Sequence, residues 1–216
     1  MLGKLFRYKG FLWKLLNDMT DVVALSLLWA VCCLPVVTFG AATTALYDSV
    51  VRCVRFRMGH PYKRFFSTFR NNFLLSLSET LVWLPVAAAA LLLSAVFGRI
   101  GEGWGHKVIA YALWFALTAV PMGGVLWVFP LHSRFTYSFS DLTGNTLRLS
   151  LGYVLNTVAM LLITALMVYI VVEFTVLSIF VPALWQLLIS FLTEPAFASL
   201  GGALTVCGDD DALPEP

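Results

Sequence analysis

Apolar residues run almost without interruption through residues 72–98, 108–132 and 150–172, and Glu79 is the one charged side chain inside these three stretches. Each stretch exceeds the ~20 residues that cross ~30 Å of hydrocarbon at ~1.5 Å per residue. The pattern predicts helices that span a membrane. Short segments of strict alternation, which an outer-membrane barrel needs, are absent. The last apolar run continues to about Thr193, too long for one span, and Glu173 is the one charge inside it. Glu173 therefore marks a turn between two legs, Ser150–Val172 and Phe174–Leu192. Pro182 is expected to kink the second leg and Glu194-Pro195 to end it. Residues 196–208 predict no clear element, and 209–216 read as a disordered acidic tail after one membrane domain over 1–208.

The first 51 residues need a different argument. Leu2, Leu5, Phe6, Leu12, Trp13 and Leu16 recur at helical spacing opposite Lys4, Arg7, Lys14 and Asp18, so residues 1–18 predict an amphipathic helix in the headgroup plane. A signal-peptide reading is disfavoured by the length of this basic region and by Asp18 and Asp21 beside the apolar core. Residues 22–51 then carry Asp48 as the one charge. Read as a single span they give five spans in all, with six Lys and Arg inside and eight outside, and no charge bias remains to orient the chain. Folding the stretch at Pro35–Gly40 puts twelve cations inside and leaves Arg99 and Lys107 outside. Proline removes a donor and disfavours helix at Leu34, and Gly40 permits a tight turn. The expectation is an all-α polytopic bundle of about six membrane-embedded helices. Its first two form a short or re-entrant hairpin, and both termini lie on the cytoplasmic face of the cell's inner (plasma) membrane; five spans is the alternative.

Composition agrees with that solvent: 60% of the 216 residues are hydrophobic and 12% charged, where a soluble domain carries about 25% charge. The net charge of +2 matters less than its placement. Six cations, Arg52, Arg55, Arg57, Lys63, Arg64 and Arg70, interleave with Phe56, Tyr62, Phe65, Phe66 and Phe69 in residues 52–72. Tethered between membrane helices and lacking any nucleic-acid module, this segment predicts a cytoplasmic surface for an anionic inner leaflet or a protein partner rather than for RNA or DNA.

Candidate chemistry is sparse. Glu79 is an acid inside a membrane helix, which costs a few kcal/mol and is a functional hypothesis by default; the structural alternative is that it reaches the interface or pairs within the bundle. Asp48 and Arg52 stand at i, i+4, a structural pair. Pro35, Thr38, Gly40, Thr43 and Thr44 form the helix-break motif. Small and hydroxyl residues there favour close helix packing, and the sharper alternative makes the break a solute or ion site. Cys32, Cys33, Cys53 and Cys207 make no metal or redox spacing, and His60, His106 and His132 make no metal motif. No nucleophile elbow, catalytic carboxylate pair or cofactor loop is present, so the chain reads as non-enzymatic, with no cofactor, metal or catalytic residue assigned.

Trp29, Cys33, Leu34-Pro35, Thr38, Gly40, Thr43, Ala45-Leu46 and Tyr47 stand in an order that resembles the YesL family of bacterial integral membrane proteins, a domain of unknown function. Phe65-Phe66, Phe69-Arg70 and Asn72-Phe73 match the basic-aromatic signature that follows in that family, and weaker echoes occur at Pro130-Leu131, Arg134-Phe135 and Asn145-Thr146-Leu147. The resemblance implies an accessory or scaffold protein linked to carbohydrate uptake or utilisation, with a membrane transporter or its regulator as partner. The alternative function is a small solute transporter or channel built on the Pro35–Gly40 break.

Overall fold

The computed structural model describes residues 19–56, 60–101, 107–135, 137–174 and 178–199, with the helical backbone alone over 97–101 and 107–117. Eight α-helices and no strand occur among the described residues. Helix α1 spans Met19–Cys32. It stops where Pro35 excludes helix from Leu34, and a 3-10 turn over Val36–Thr38 reverses the chain. Helix α2, Phe39–Ser49, returns and widens into a π turn over Val50–Arg55. Helix α3 (Pro61–Asn71) starts with proline at its first position, where the missing N–H costs nothing. The long helices α4 (Phe73–Gly101) and α5 (Lys107–Arg134) follow. Then come α6 (Phe139–Gly152), α7 (Val154–Glu173) and α8 (Val181–Ser199).

The predicted break at Pro35–Gly40 is therefore present as a hairpin. Its tip exposes Val31, Leu34, Val36 and Val37. Apolar side chains at a turn suit lipid, yet non-helical backbone in lipid needs internal partners. Thr38 supplies one: its Oγ1 lies 2.5 Å from the Cys32 carbonyl and 2.7 Å from that of Pro35, so one hydroxyl proton is shared between two carbonyls at the bend. Behind the tip α2 is the most enclosed helix, with every residue from Gly40 to Ser49 buried. Helices α3, α4, α5 and α8 surround it.

Gly40 is what lets α2 approach α4. A Cβ there would strike Thr80 Oγ1, and would sit 2.7 Å from Phe129 Cε1 and 2.8 Å from the Ser76 carbonyl. Gly124 does the same for α5, where a Cβ would run into the Trp83 ring. With no apolar driving force between helices in lipid, such close backbone approach is a main source of packing energy.

Among the described residues three helices are long and apolar enough to cross a membrane: Phe73–Val96, Val154–Glu173 and Val181–Ser199. Helix α7 exposes Leu155, Leu162, Leu166, Tyr169 and Val172, a surface that water would not tolerate and lipid would cover. Two local expectations are corrected. Pro182 is the second residue of α8 and starts that helix rather than kinking it. Glu194-Pro195 does not end it, because α8 continues to Ser199; an exposed proline near the last turn loses one hydrogen bond, to the carbonyl of Phe191, and keeps its helix. The proposed helix over 1–18 and the tail over 209–216 lie outside the described residues, as does Arg57.

Candidate functional site: the buried polar clusters around α2

Three carboxylates enter the bundle, and each is met by partners from another helix. Asp48, 1% exposed, accepts from Arg52 Nε at 2.8 Å, Arg64 Nε at 2.6 Å and Thr68 Oγ1 at 2.8 Å. The i, i+4 pairing with Arg52 follows from helix geometry alone. Arg64 and Thr68 arrive because α3 folds back along α2, with Phe65 wholly buried between them. One carboxyl oxygen, Oδ2, thus fastens α3 to the hairpin, while Oδ1 holds Arg52.

Glu194 is the second. Its Oε1 accepts from Arg134 Nη2 at 2.6 Å, Arg134 Nε at 3.1 Å and Tyr47 Oη at 2.8 Å. The phenol has one proton and gives it to Glu194, so the 2.6 Å contact between Tyr47 Oη and Thr193 Oγ1 has Thr193 as donor. Helices α2, α5 and α8 converge on this one oxygen. The π turn adds a further tie: Arg55 Nη1 donates to the Ser190 carbonyl at 2.8 Å and to its Oγ at 3.0 Å, while its guanidinium lies 4.3 Å from the Phe191 ring centroid.

Glu79 is the third. It is fully buried, and its Oε2 lies 3.0 Å from His132 Nδ1. Ser76 Oγ lies 3.2 Å from the same nitrogen. The other carboxyl oxygen, Oε1, has no hydrogen-bond partner. One residue along α4, Thr80 Oγ1 accepts the Gly40 backbone N–H at 3.1 Å and donates to the Ser76 carbonyl at 2.7 Å. A continuous polar line therefore runs from the hairpin tip through Thr80 and Ser76 to the Glu79–His132 pair.

The residues singled out by sequence divide accordingly. Arg52, Arg55 and Arg64 are engaged inside the bundle, whereas Lys63 and Arg70 are exposed on α3 beside exposed Tyr62 and Phe66. Thr43 takes the Trp29 indole N–H at 3.2 Å and donates to the Phe39 carbonyl at 2.7 Å, which ties the two hairpin legs together. Thr44 Oγ1 is buried without a partner. Sequence spacing alone does not bring His132 to Glu79 or Arg134 to Glu194. The usable signal was arithmetic: two lone acids in apolar helices, and a histidine and an arginine two residues apart at one helix end.

Among the described residues, no three of His, Cys, Asp and Glu gather closely enough to hold a metal ion. A cavity of about 450 Å³ opens between the hairpin tip and helices α7 and α8, lined by Trp29, Phe39, Met167, Val171, Pro182 and Trp185 among others. Trp29 Nε1 is turned to Thr43 and Trp185 Nε1 to Thr164 at 3.0 Å, which leaves a largely apolar wall.

Residues 22–95 match the model of a family described as a protein of unknown function, DUF624, the domain of YesL-like proteins. The matched span holds the hairpin, α3 and most of α4, hence Gly40, Asp48 and Glu79, and stops before His132, Arg134 and Glu194. No curated protein and no solved structure matches the chain.

Proposed function

We propose that this chain is a non-enzymatic accessory or scaffold protein of the inner (plasma) membrane, a YesL-type protein with both termini cytoplasmic and six membrane-embedded helices. The first two, α1 and α2, form a short or re-entrant hairpin, because α2 of 11 residues with its π turn of 6 covers at most ~25 Å at ~1.5 Å per residue, less than ~30 Å of hydrocarbon. The observation that supports this reading best is that each buried carboxylate is paired with a side chain from another helix. Asp48 and the Tyr47–Glu194 contact tie α2 to α3, α5 and α8, and Glu79 ties α4 to α5, so these pairs hold the bundle around the hairpin.

The surface left for a partner is then α3, where Lys63 and Arg70 flank Tyr62 and Phe66 on the outward face. In this reading α3 rests on the anionic inner leaflet and presents itself to a transporter or its regulator. The link to carbohydrate uptake rests on the family resemblance alone.

Two measurements test this. Single cysteines at Ser67 and Glu173 in a cysteine-free background should label from opposite sides of intact cells, Glu173 from outside; labelling of both from outside refutes the orientation. Affinity purification from native membranes should recover a partner that is lost on reversing Lys63 and Arg70 to Glu. Those two cations leave the internal ion pairs intact, so loss of partner without loss of fold supports the reading. Recovery of the protein alone counts against it.

The position of Glu79 beside the hairpin tip supports a second reading, a small transporter using the Pro35–Gly40 break. It requires that reconstituted protein pass a solute and that Glu79→Gln alter the pH dependence of that flux.

A further inference from the structure

We propose that Glu79 and His132 form a proton-binding site inside the bundle, and that the docking of the hairpin tip on α4 reads its occupancy. The inference goes beyond either functional reading and requires no transport.

The two side chains are 0% and 5% exposed, and only 3.0 Å separates Oε2 from Nδ1. At that distance one proton lies between two groups that both accept. It resides either on Nδ1, leaving a carboxylate, or on Oε2, leaving a neutral carboxylic acid that donates to Nδ1. The unpartnered Oε1 decides between them. A buried carboxylate oxygen that carries charge and meets no donor is strongly penalised, whereas the carbonyl oxygen of a neutral acid is penalised far less. This geometry favours the form in which Glu79 carries the proton and donates it to Nδ1.

Other charges nearby are already committed. Helix α2 brings Tyr47 and Asp48, which are bound to Glu194 and to Arg52 and Arg64. On α5, Arg134 is bound to Glu194. Helix α3 carries Lys63 and Arg70 and α6 carries Asp141 and Arg148, all of them exposed. His132 is left as the group that faces Glu79 directly.

Coupling to the hairpin follows from the covalent order of α4. Thr80, which receives the Gly40 N–H, adjoins Glu79, and Ser76 contacts both His132 and Thr80. Loss of the proton places an unpaired charge beside this contact. The charge is relieved if the tip withdraws and lets water reach Oε1. Rising pH should therefore open the hairpin, and falling pH should close it.

The experiment uses the full chain in lipid nanodiscs. Difference infrared spectra over a pH titration should show the carbonyl stretch of a protonated carboxyl that disappears as pH rises. Glu79→Gln should remove that band, Glu79→Asp should shift it, and His132→Gln should change the pH at which it is lost. Spin labels on cysteines replacing Val37 and Leu166, in a cysteine-free background, should report a tip-to-α7 distance that changes in step with the band. In Glu79→Gln that distance should stay at its low-pH value. A spectrum with no protonated-carboxyl band sensitive to either Glu79 variant overturns the site. A distance that stays constant while the band titrates overturns the coupling.

Discussion

Replacing Arg134 by Met should lower the stability of the protein in detergent by about 3–5 kcal/mol, because it leaves Glu194 as a buried carboxylate without its cation. Both partners are well inside the bundle, the Arg134 side chain 3% and that of Glu194 9% exposed, so solvent cannot take over the missing charge. Tyr47 still donates to Oε1, but a neutral phenol supplies one hydrogen bond and no charge. Glu194→Gln should cost less than Arg134→Met: the amide oxygen keeps an acceptor for Tyr47, and the stranded guanidinium still lies 5.9 Å from the Tyr47 ring centroid. The double variant Arg134→Met with Glu194→Gln should be more stable than Arg134→Met alone. That rescue is the signature of a pair whose members are each worse alone than absent together. Apparent melting temperatures of the four proteins in one detergent measure it. A single Arg134→Met variant that melts with the parent would mean that the junction of α2, α5 and α8 does not depend on this oxygen.

The pairings that matter most were the least visible in the sequence, and for a physical reason. Pro35 and Gly40 mark where the chain turns, and the count of cations on either side of the stretch points to a hairpin there. The Asp48–Arg52 contact is legible because i, i+4 geometry belongs to any helix. Arg64 and Thr68 lie 16 and 20 residues beyond Asp48, and their arrival requires α3 to fold back along α2. Glu79 and His132 are 53 residues apart, and Arg134 and Glu194 are 60 apart. Such pairs depend on which helix faces stand together, and an apolar helix with polar residues on no consistent face does not announce its neighbours. Glu194 shows the error this produces. Next to a proline it looks like a helix terminator, yet its carboxylate is the acceptor at which three helices meet.

Asp48→Ala should release α3 from the hairpin and cost about 2–3 kcal/mol. The value is below the range for a fully buried pair because Arg52 and Arg64 keep 23% and 30% of their side-chain surface and recover hydration once freed. Thr68 does not: it is 7% exposed and loses the acceptor of its hydroxyl. The loss should be local before it is global. Arg64 and Thr68, one turn apart on α3, reach the same Asp48 oxygen beside buried Phe65, whose ring stacks on Phe69 with centroids 6.3 Å apart. Hydrogen exchange should therefore accelerate over residues 61–71 while α4 and α5 keep their protection. Asp48→Asn separates charge from shape. It retains one acceptor oxygen of the same size, so a variant that behaves like Asp48→Ala would show that neutralising two guanidiniums holds α3 in place. A variant that behaves like the parent would assign that role to the hydrogen bonds. Uniform loss of protection over every helix would instead mean that α3 is no separate unit and folds only with the bundle.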